Sequence, residues 1–375
     1  MNSIQMVDLV GQYKEIKTEI DKAISDVLLS AKFVNGPEVH EFATNLKNYT
    51  GAGFVVPCAN GTDALQIAMM ALEFERGDEI IVPAFTYVAT VEAIALLGLK
   101  PRLVDVDPDT FNINPKSIEQ NINSRTRGIV AVHMFGQAAD MEEIMKIAQK
   151  NNLKVIEDNA QSIGCEITFS DGSKRQAGTI GHIGTTSFFP SKNLGAYGDG
   201  GAIFTSDGQL SDRLKTISSH GQRQKYCYDE IGVNSRLDTI QAAILNVKLK
   251  KLDEYISRRQ KIAAYYDAQL GSLDNVSIPK RNKKSTHVFH QYTLKLHNKD
   301  RGVFQDYLKG KGIPTMIYYP LPMHLQKAYL HYGHKKGDFP ISEKLCEEVI
   351  SIPMHTQMND AALEFITGII RQYFE

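Results

Sequence analysis

The sequence predicts an α/β protein: a large domain on a mostly parallel sheet between helices, then a small C-terminal α/β domain. Three observations carry this. Between residues 54 and 157, β-prone runs alternate with helical ones, the pattern of a parallel sheet covered on both faces. A long amphipathic stretch then runs from residue 237 to about 270 and forms a natural bridge. From Asn275 the composition shifts to two or three further β-prone runs with helices beside them. The division falls at residues 1–250, which include N-terminal helices, and 251–375, joined by that long helix.

Residues 12–31 place Ile16, Ile20, Ala23, Ile24, Val27 and Leu28 at helical spacing. Asn35-Gly36-Pro37 breaks the pattern, and Pro37 suits the first turn of a second helix ending near Thr50. Strands are expected at 54–58, 79–82, 102–106, 128–132 and 155–157. Helices are expected at 64–72, 88–97, 115–122 and 141–151. Asp171-Gly172 is a hairpin-type turn. Phe188 and Phe189 read as the end of a buried strand, and Ala202–Phe204 as the next. Residues 206–217 are helical, and 220–232 are a loop by composition. In the second domain, 288–296 and 312–319 read as strands, and 301–309, 343–349 and 360–373 as helices.

The 375-residue chain has a formal net charge of −1, so no basic field points to nucleic acid or an anionic membrane. Its four cysteines, Cys58, Cys165, Cys227 and Cys346, have no metal-ligand spacing. They suggest a reducing compartment, with neither a disulfide framework nor a metal site. Residues 1–6 lack the pattern of a signal peptide. The longest apolar stretches, such as 89–99 with Glu92 inside, are too short to span a membrane. A cytoplasmic protein is expected.

The stretch around which the chain is organised is 184–204. Lys192 lies there between two apolar runs, with Ser187 and Ser191 before it and Gly195, Gly198, Gly200 and Gly201 after it. That places a lysine at a strand–turn–strand junction on the edge of a core, where a cation needs a reason. A covalent link to an aldehyde cofactor is one. Pyridoxal phosphate enzymes hold their cofactor through a lysine, with a carboxylate facing the pyridine nitrogen. Asp158, closing the run 153–158, would sit at a strand's carboxyl end, where open α/β folds bind ligands. By spacing alone, a surface acid and a surface lysine fit equally well. Asn60-Gly61-Thr62-Asp63 joins a strand to a helix, and amides at a helix start suit phosphate. Plain capping by Thr62 or Asp63 fits the same residues.

Six segments together resemble the DegT/DnrJ/StrS family of nucleotide-sugar aminotransferases. They are Cys58-Ala-Asn-Gly-Thr-Asp-Ala-Leu65, Pro83-Ala-Phe-Thr-Tyr-Val-Ala-Thr90, Val155-Ile-Glu-Asp-Asn-Ala-Gln161, Ser187-Phe-Phe-Pro-Ser-Lys192, Gly198-Asp-Gly-Gly201 and the run from Gly232 to Ala243. They occur in the family's order over most of the chain. The resemblance implies a fold type I, aspartate-aminotransferase-like transferase with a seven-stranded sheet. It implies pyridoxal 5′-phosphate as cofactor, alternating with pyridoxamine 5′-phosphate. Lys192 would be the covalent anchor and proton carrier, and Asp158 the partner of the pyridine nitrogen. Gly61, Thr62 and Ser187 would hold the phosphate, Gln161 would lie beside the ring hydroxyl, and Tyr87 would stack on the ring. Asn234 would reach the phosphate from the other subunit of a homodimer with shared sites, and Arg236 is a candidate for the same crossing or for the dimer contact.

Within the family, the 58–66 and 187–205 segments, His220-Gly-Gln222 and 233–239 are most similar to enzymes acting on a UDP-linked oxo-sugar. Those enzymes transfer the amino group of L-glutamate to C3 of UDP-2-acetamido-2-deoxy-3-oxo-D-glucuronate, and their products feed surface polysaccharides such as lipopolysaccharide O-antigen. Asn193 and Leu194 after the lysine, and Tyr318 where those relatives often have histidine, depart from the pattern. The alternatives are a dTDP-3-oxo-6-deoxyhexose, a 4-oxo nucleotide sugar, or a pyridoxal phosphate-binding regulatory protein without turnover. His220, Gln222, Arg223 and Tyr226, and Tyr318, Tyr319 and His324 on the small domain, are candidates for the sugar side or for plain surface.

Overall fold

The computed structural model describes residues 4–374, so Met1–Ser3 of the stretch read against a signal peptide lie outside the described residues. Seven strands form the main sheet. In spatial order they are Phe54–Cys58, Gly201–Thr205, Ile183–Ser187, Lys154–Asp158, Thr126–Val132, Glu79–Pro83 and Lys100–Val104. The four pairings from Ile183–Ser187 to Lys100–Val104 are parallel. Gly201–Thr205 alone runs against the rest, antiparallel to both its neighbours. The carboxyl ends of six strands therefore share one edge, and the turn between Ile183–Ser187 and Gly201–Thr205 hangs over it.

Alternation along the strands fills both faces. Ile81, Ile129 and Val155 enter one core with Phe42, Met141 and Leu245. Ile80, Val82, Val130 and Ile156 enter the other with Leu65, Ile67 and Ile94. Strands buried on both sides are what the near-continuous apolar runs require.

Several elements differ from the sequence reading. The helix expected at 12–31 is two, Leu9–Glu15 and Lys17–Ser30, broken at Ile16 (φ −118°, ψ 22°). Phe188 is buried, but Phe189 is 53% exposed, because the strand ends at Ser187 and the turn begins. The loop 220–232 contains a small hairpin, Gln222–Gln224 with Cys227–Tyr228. The long helix is bent into Thr239–Leu249 and Leu252–Leu270.

A second sheet of three antiparallel strands comprises Val276–Ser277, Tyr292–Leu296 and Val349–Ile352. Tyr266, Phe304, Ile313 and Ile366 pack on it in a core of their own. The helix expected at 343–349 is Pro340–Glu348, and Val349 instead opens the strand Val349–Ile352, which the sequence reading lacked. Residues 312–319 are not a strand. Pro314 and Pro320 lack amide donors, and the segment pairs only at Met316 with Ser351. Among the described residues, no helix is long and apolar enough to cross a membrane, and no group of three or more His, Cys, Asp or Glu residues could hold a metal ion.

Candidate functional site

At the carboxyl edge of the main sheet lies a cavity of ≈ 440 Å³. Gly61, Thr62, Tyr87, Asp158, Gln161, Ser187 and Lys192 all line it. Four sequence-distant segments thus converge, because each follows the end of a strand pointing to that edge.

Lys192 stands in the turn after Ile183–Ser187. Its amide donates to the Phe189 carbonyl at 2.8 Å, and Ala196 N closes the turn on the Phe188 carbonyl at 2.8 Å. The side chain is half-buried. Burial pulls its ammonium down to about 8, against the opposing pull of the Asp158 carboxylate. A lysine depressed in this way is neutral often enough near pH 7 to act as a nucleophile.

Asp158 ends its strand and is 7% exposed. Its Oδ2 accepts from Thr90 Oγ1 at 2.8 Å, and its Oδ1 from Ala160 N at 3.1 Å. Both oxygens are therefore oriented by fixed protein donors. Glu157 points the other way, as strand alternation requires. It is fully buried and bound by His133 Nε2 at 2.9 Å, Gly178 N at 2.8 Å and Ile180 N at 2.6 Å. Burial would raise its carboxyl, but His133 and the backbone amides outweigh that and hold it below the usual range.

At the other end of the cavity the helix Gly61–Ala71 begins. Its cap is Asn60, whose side chain accepts from Asp63 N at 2.8 Å. Neither Thr62 nor Asp63 caps it. Among the described residues, no acceptor pairs with the Gly61 and Thr62 amides. Two donors at a helix N-terminus, with the Thr62 and Ser187 side chains beside them, form an anion cradle. Gly61 is required there, since a Cβ would meet Ser187 Cβ at 2.7 Å.

Gln161 is fixed from two sides. Its Oε1 accepts from Phe135 N at 2.8 Å, and its Nε2 donates to Tyr319 Oη at 3.2 Å. Tyr87 is 56% exposed at the mouth, with its ring 6.1 Å from that of Tyr319. An unpaired depressed amine, an oriented carboxylate and an anion cradle in one cavity fit pyridoxal 5′-phosphate.

Not every candidate is brought together. Asn234 is exposed, pairs with Ser219 in an isolated bridge and does not line the cavity. Arg236 is half-buried and also outside it. His220, Gln222, Arg223 and Tyr226 stand on or beside the projecting hairpin, and Arg223 pairs with Asp229 at 3.3 Å. Tyr318 and Tyr319 line the cavity. His324 does not: it is fully buried, bonded to Glu343 Oε1 at 3.0 Å and packed on Phe339, so it supports the fold.

The structure adds Thr90, Asp199, His290 and Gln291. His290 and Gln291 line the cavity just before Tyr292–Leu296. Burial first, then Lys192 and Arg259, push the His290 imidazole well below its usual value, so it faces the lysine uncharged. The sequence hid this pair inside an expected strand. Thr90 lies on a helix whose apolar run masked it.

The model of the DegT/DnrJ/EryC1/StrS aminotransferase family matches residues 14–371. A UDP-2-acetamido-2-deoxy-3-oxo-D-glucuronate aminotransferase of Pseudomonas aeruginosa is 44% identical, over 98% of this chain and 99% of its own. A dTDP-3-amino-3,6-dideoxy-α-D-galactopyranose transaminase of Aneurinibacillus thermoaerophilus is 41% identical over 99% of each chain. Among solved structures, NtdA from Bacillus subtilis with bound cofactor PMP superposes with a TM-score of 0.89 at 29% identity, covering 98% of this chain and 83% of that one.

Proposed function

This chain belongs to the DegT/DnrJ/EryC1/StrS aminotransferase family, and on that premise we propose that it moves an amino group from L-glutamate to C3 of UDP-2-acetamido-2-deoxy-3-oxo-D-glucuronate. The products are UDP-2-acetamido-3-amino-2,3-dideoxy-D-glucuronate and 2-oxoglutarate. The chain is a nucleotide-sugar transaminase with pyridoxal 5′-phosphate as its cofactor.

When bound, that cofactor supplies an aldehyde that exchanges amino groups and a ring that draws off electrons. The chain's residues do the rest. Lys192 Nζ is the covalent anchor and, once free, carries the proton to and from the reacting carbon. Asp158, held by Thr90 and Ala160, keeps a proton on the ring nitrogen. The Gly61 and Thr62 amides with Thr62 and Ser187 hydroxyls take the phosphate. Gln161, locked by Phe135 and Tyr319, meets the ring hydroxyl. Tyr87, at the mouth, would cover the ring face.

The observation that carries the class is Lys192, depressed by burial and facing Asp158 in one cavity. The sugar rests on the P. aeruginosa relative. Among the described residues lining the cavity there is no arginine, so a cation for the C6 carboxylate must come from elsewhere. Arg236 of a second copy is our candidate, in a homodimer where Asn234 also crosses to the neighbouring phosphate. Without that crossing, the dTDP-linked 3-oxo-6-deoxyhexose, which has no carboxylate, is the second reading. We also read residues 1–250 and 251–375 as two domains, the cytoplasm as the site of action and surface polysaccharide as the destination of the product.

The test is mass spectrometry of the nucleotide product from protein given pyridoxal phosphate, L-glutamate and freshly generated UDP-2-acetamido-3-oxo-glucuronate. A 3-amino product is the result we expect. No product, while glutamate still converts the cofactor, would reject this sugar and leave the dTDP-linked one.

A further inference from the structure

Lys248 is a buried charge that the chemistry above does not use. It lies near the end of Thr239–Leu249 and is 1% exposed. Its Nζ donates to the Gly195 carbonyl at 2.5 Å and sits 5.1 Å from the centre of the Tyr197 ring. The charge that bears on it is Arg259, of the same sign, and burial with that repulsion brings its ammonium down to about 7. Burying a cation on one carbonyl and one ring face is costly. An apolar side chain of the same length would fill the space at less cost to the fold.

What the amine holds is the turn that carries Lys192. Gly195 packs back on that turn, since a Cβ there would meet the Pro190 carbonyl oxygen at 2.3 Å and that of Phe189 at 3.0 Å. Phe189 accepts from Lys192 N. On its far side the turn is tied by Asn193 Nδ2 to the Val288 carbonyl at 2.9 Å. Tyr197 N is tied to Gln241 Oε1 at 2.8 Å, on the same helix as Lys248. The Gly195 carbonyl is thus a point where Thr239–Leu249 grips the turn itself, beside its hold on Tyr197.

We propose that Lys248 is a positioning residue for the transamination: by holding the Gly195 carbonyl it fixes the 189–196 turn and keeps the Lys192 amine in the cavity opposite Asp158. This rests on Lys192 as the reacting amine, not on which sugar is used.

The test is Lys248→Met in the full-length protein, read first without cofactor. Acetic anhydride labelling across pH, followed by peptide mass spectrometry, gives the titration midpoint of Lys192. With the grip lost, the side chain is freer to reach water. Asp158 and His290, the groups facing it, are unchanged. The midpoint is expected to rise by at least one unit from about 8. With cofactor and substrates, kcat is expected to fall at least tenfold with KM for the nucleotide sugar within threefold. The thermal midpoint should be equal or higher. Tyr197→Phe, which removes a buried hydroxyl without a hydrogen-bond partner, should leave the Lys192 titration unchanged. A folded Lys248→Met with the wild-type Lys192 midpoint overturns the proposal. So does a variant that does not fold, because the amine would then serve the core rather than the turn. Failure of the sugar assignment alone would leave the labelling result intact.

Discussion

Replacing Asp158 by asparagine separates the chemistry of the site from its architecture. The side chain keeps its length and one carbonyl acceptor. One of the two bonds, from Thr90 Oγ1 at 2.8 Å or Ala160 N at 3.1 Å, can therefore persist. The fold loses at most one hydrogen bond of net worth about 0.5–1.5 kcal/mol. The charge that we place opposite the ring nitrogen is lost altogether. Breaking a buried ion pair from one side costs about 3–5 kcal/mol, which is roughly 10²- to 10⁴-fold in rate at about 1.4 kcal/mol per tenfold. Asp158 also opposes the depression of Lys192, so the lysine should fall further below about 8. The assay is rapid mixing of cofactor-loaded protein with glutamate, followed by cofactor absorbance, beside a thermal melt. A slowing of at least 100-fold is expected, with little loss of stability. A folded, loaded variant within tenfold of wild type would refute the argument that the carboxylate works on the ring.

Three further outcomes follow from the same geometry. Gly61→Ala forces a Cβ to within 2.7 Å of Ser187 Cβ; it should cost about 1–3 kcal/mol in melts and weaken cofactor binding in titrations, and Ser187→Gly added to it should recover the stability. Stability of the cofactor-free protein should rise from pH 7 to 9. Unfolded lysines hold their protons to about 10.4, whereas folded Lys192 and Lys248 release theirs at about 8 and about 7. Those two lysines give a gain of at most about 4 kcal/mol in that window, reduced because burial raises the Cys58, Cys165 and Cys346 thiols while unfolded thiols ionise at about 8.5. Beyond pH 10 the trend should reverse, because burial raises Tyr255, Tyr266 and Tyr292 above the ordinary phenol range; a thermal midpoint falling between pH 7 and 9 would contradict this. Finally, mixing inactive Lys192→Ala and Asn234→Ala chains should restore roughly a quarter of wild-type activity if each site draws on both copies, and none if it does not.

Much of this was legible because strand periodicity and strand ends are local. The runs at 54–58 and 155–157 set the sheet, and Lys192 and Asp158 lie together at its edge, a placement that spacing allowed but did not require. What failed was also local. Phe188-Phe189 is one apolar pair divided between strand and turn, which periodicity cannot resolve. Val349–Ile352 follows the helix Pro340–Glu348 with no intervening turn residues, so the boundary at Val349 was missed. At the cap, the sequence offered Thr62 or Asp63, and only the folded chain shows that the Asn60 side chain reaches the Asp63 amide. His290 was invisible for another reason. Its place beside Lys192 depends on Gly136, where a Cβ would meet Phe289 N at 2.8 Å and His290 N at 2.9 Å. It depends equally on Phe289 at φ 48°. Such contacts join segments more than 150 residues apart, and no window of sequence contains them.

The most direct measurement is borohydride reduction of the cofactor-loaded protein followed by peptide mapping. The account requires the pyridoxyl phosphate mass on Lys192. Label on Lys248 or another lysine, or no label in a folded protein saturated with cofactor, would contradict it.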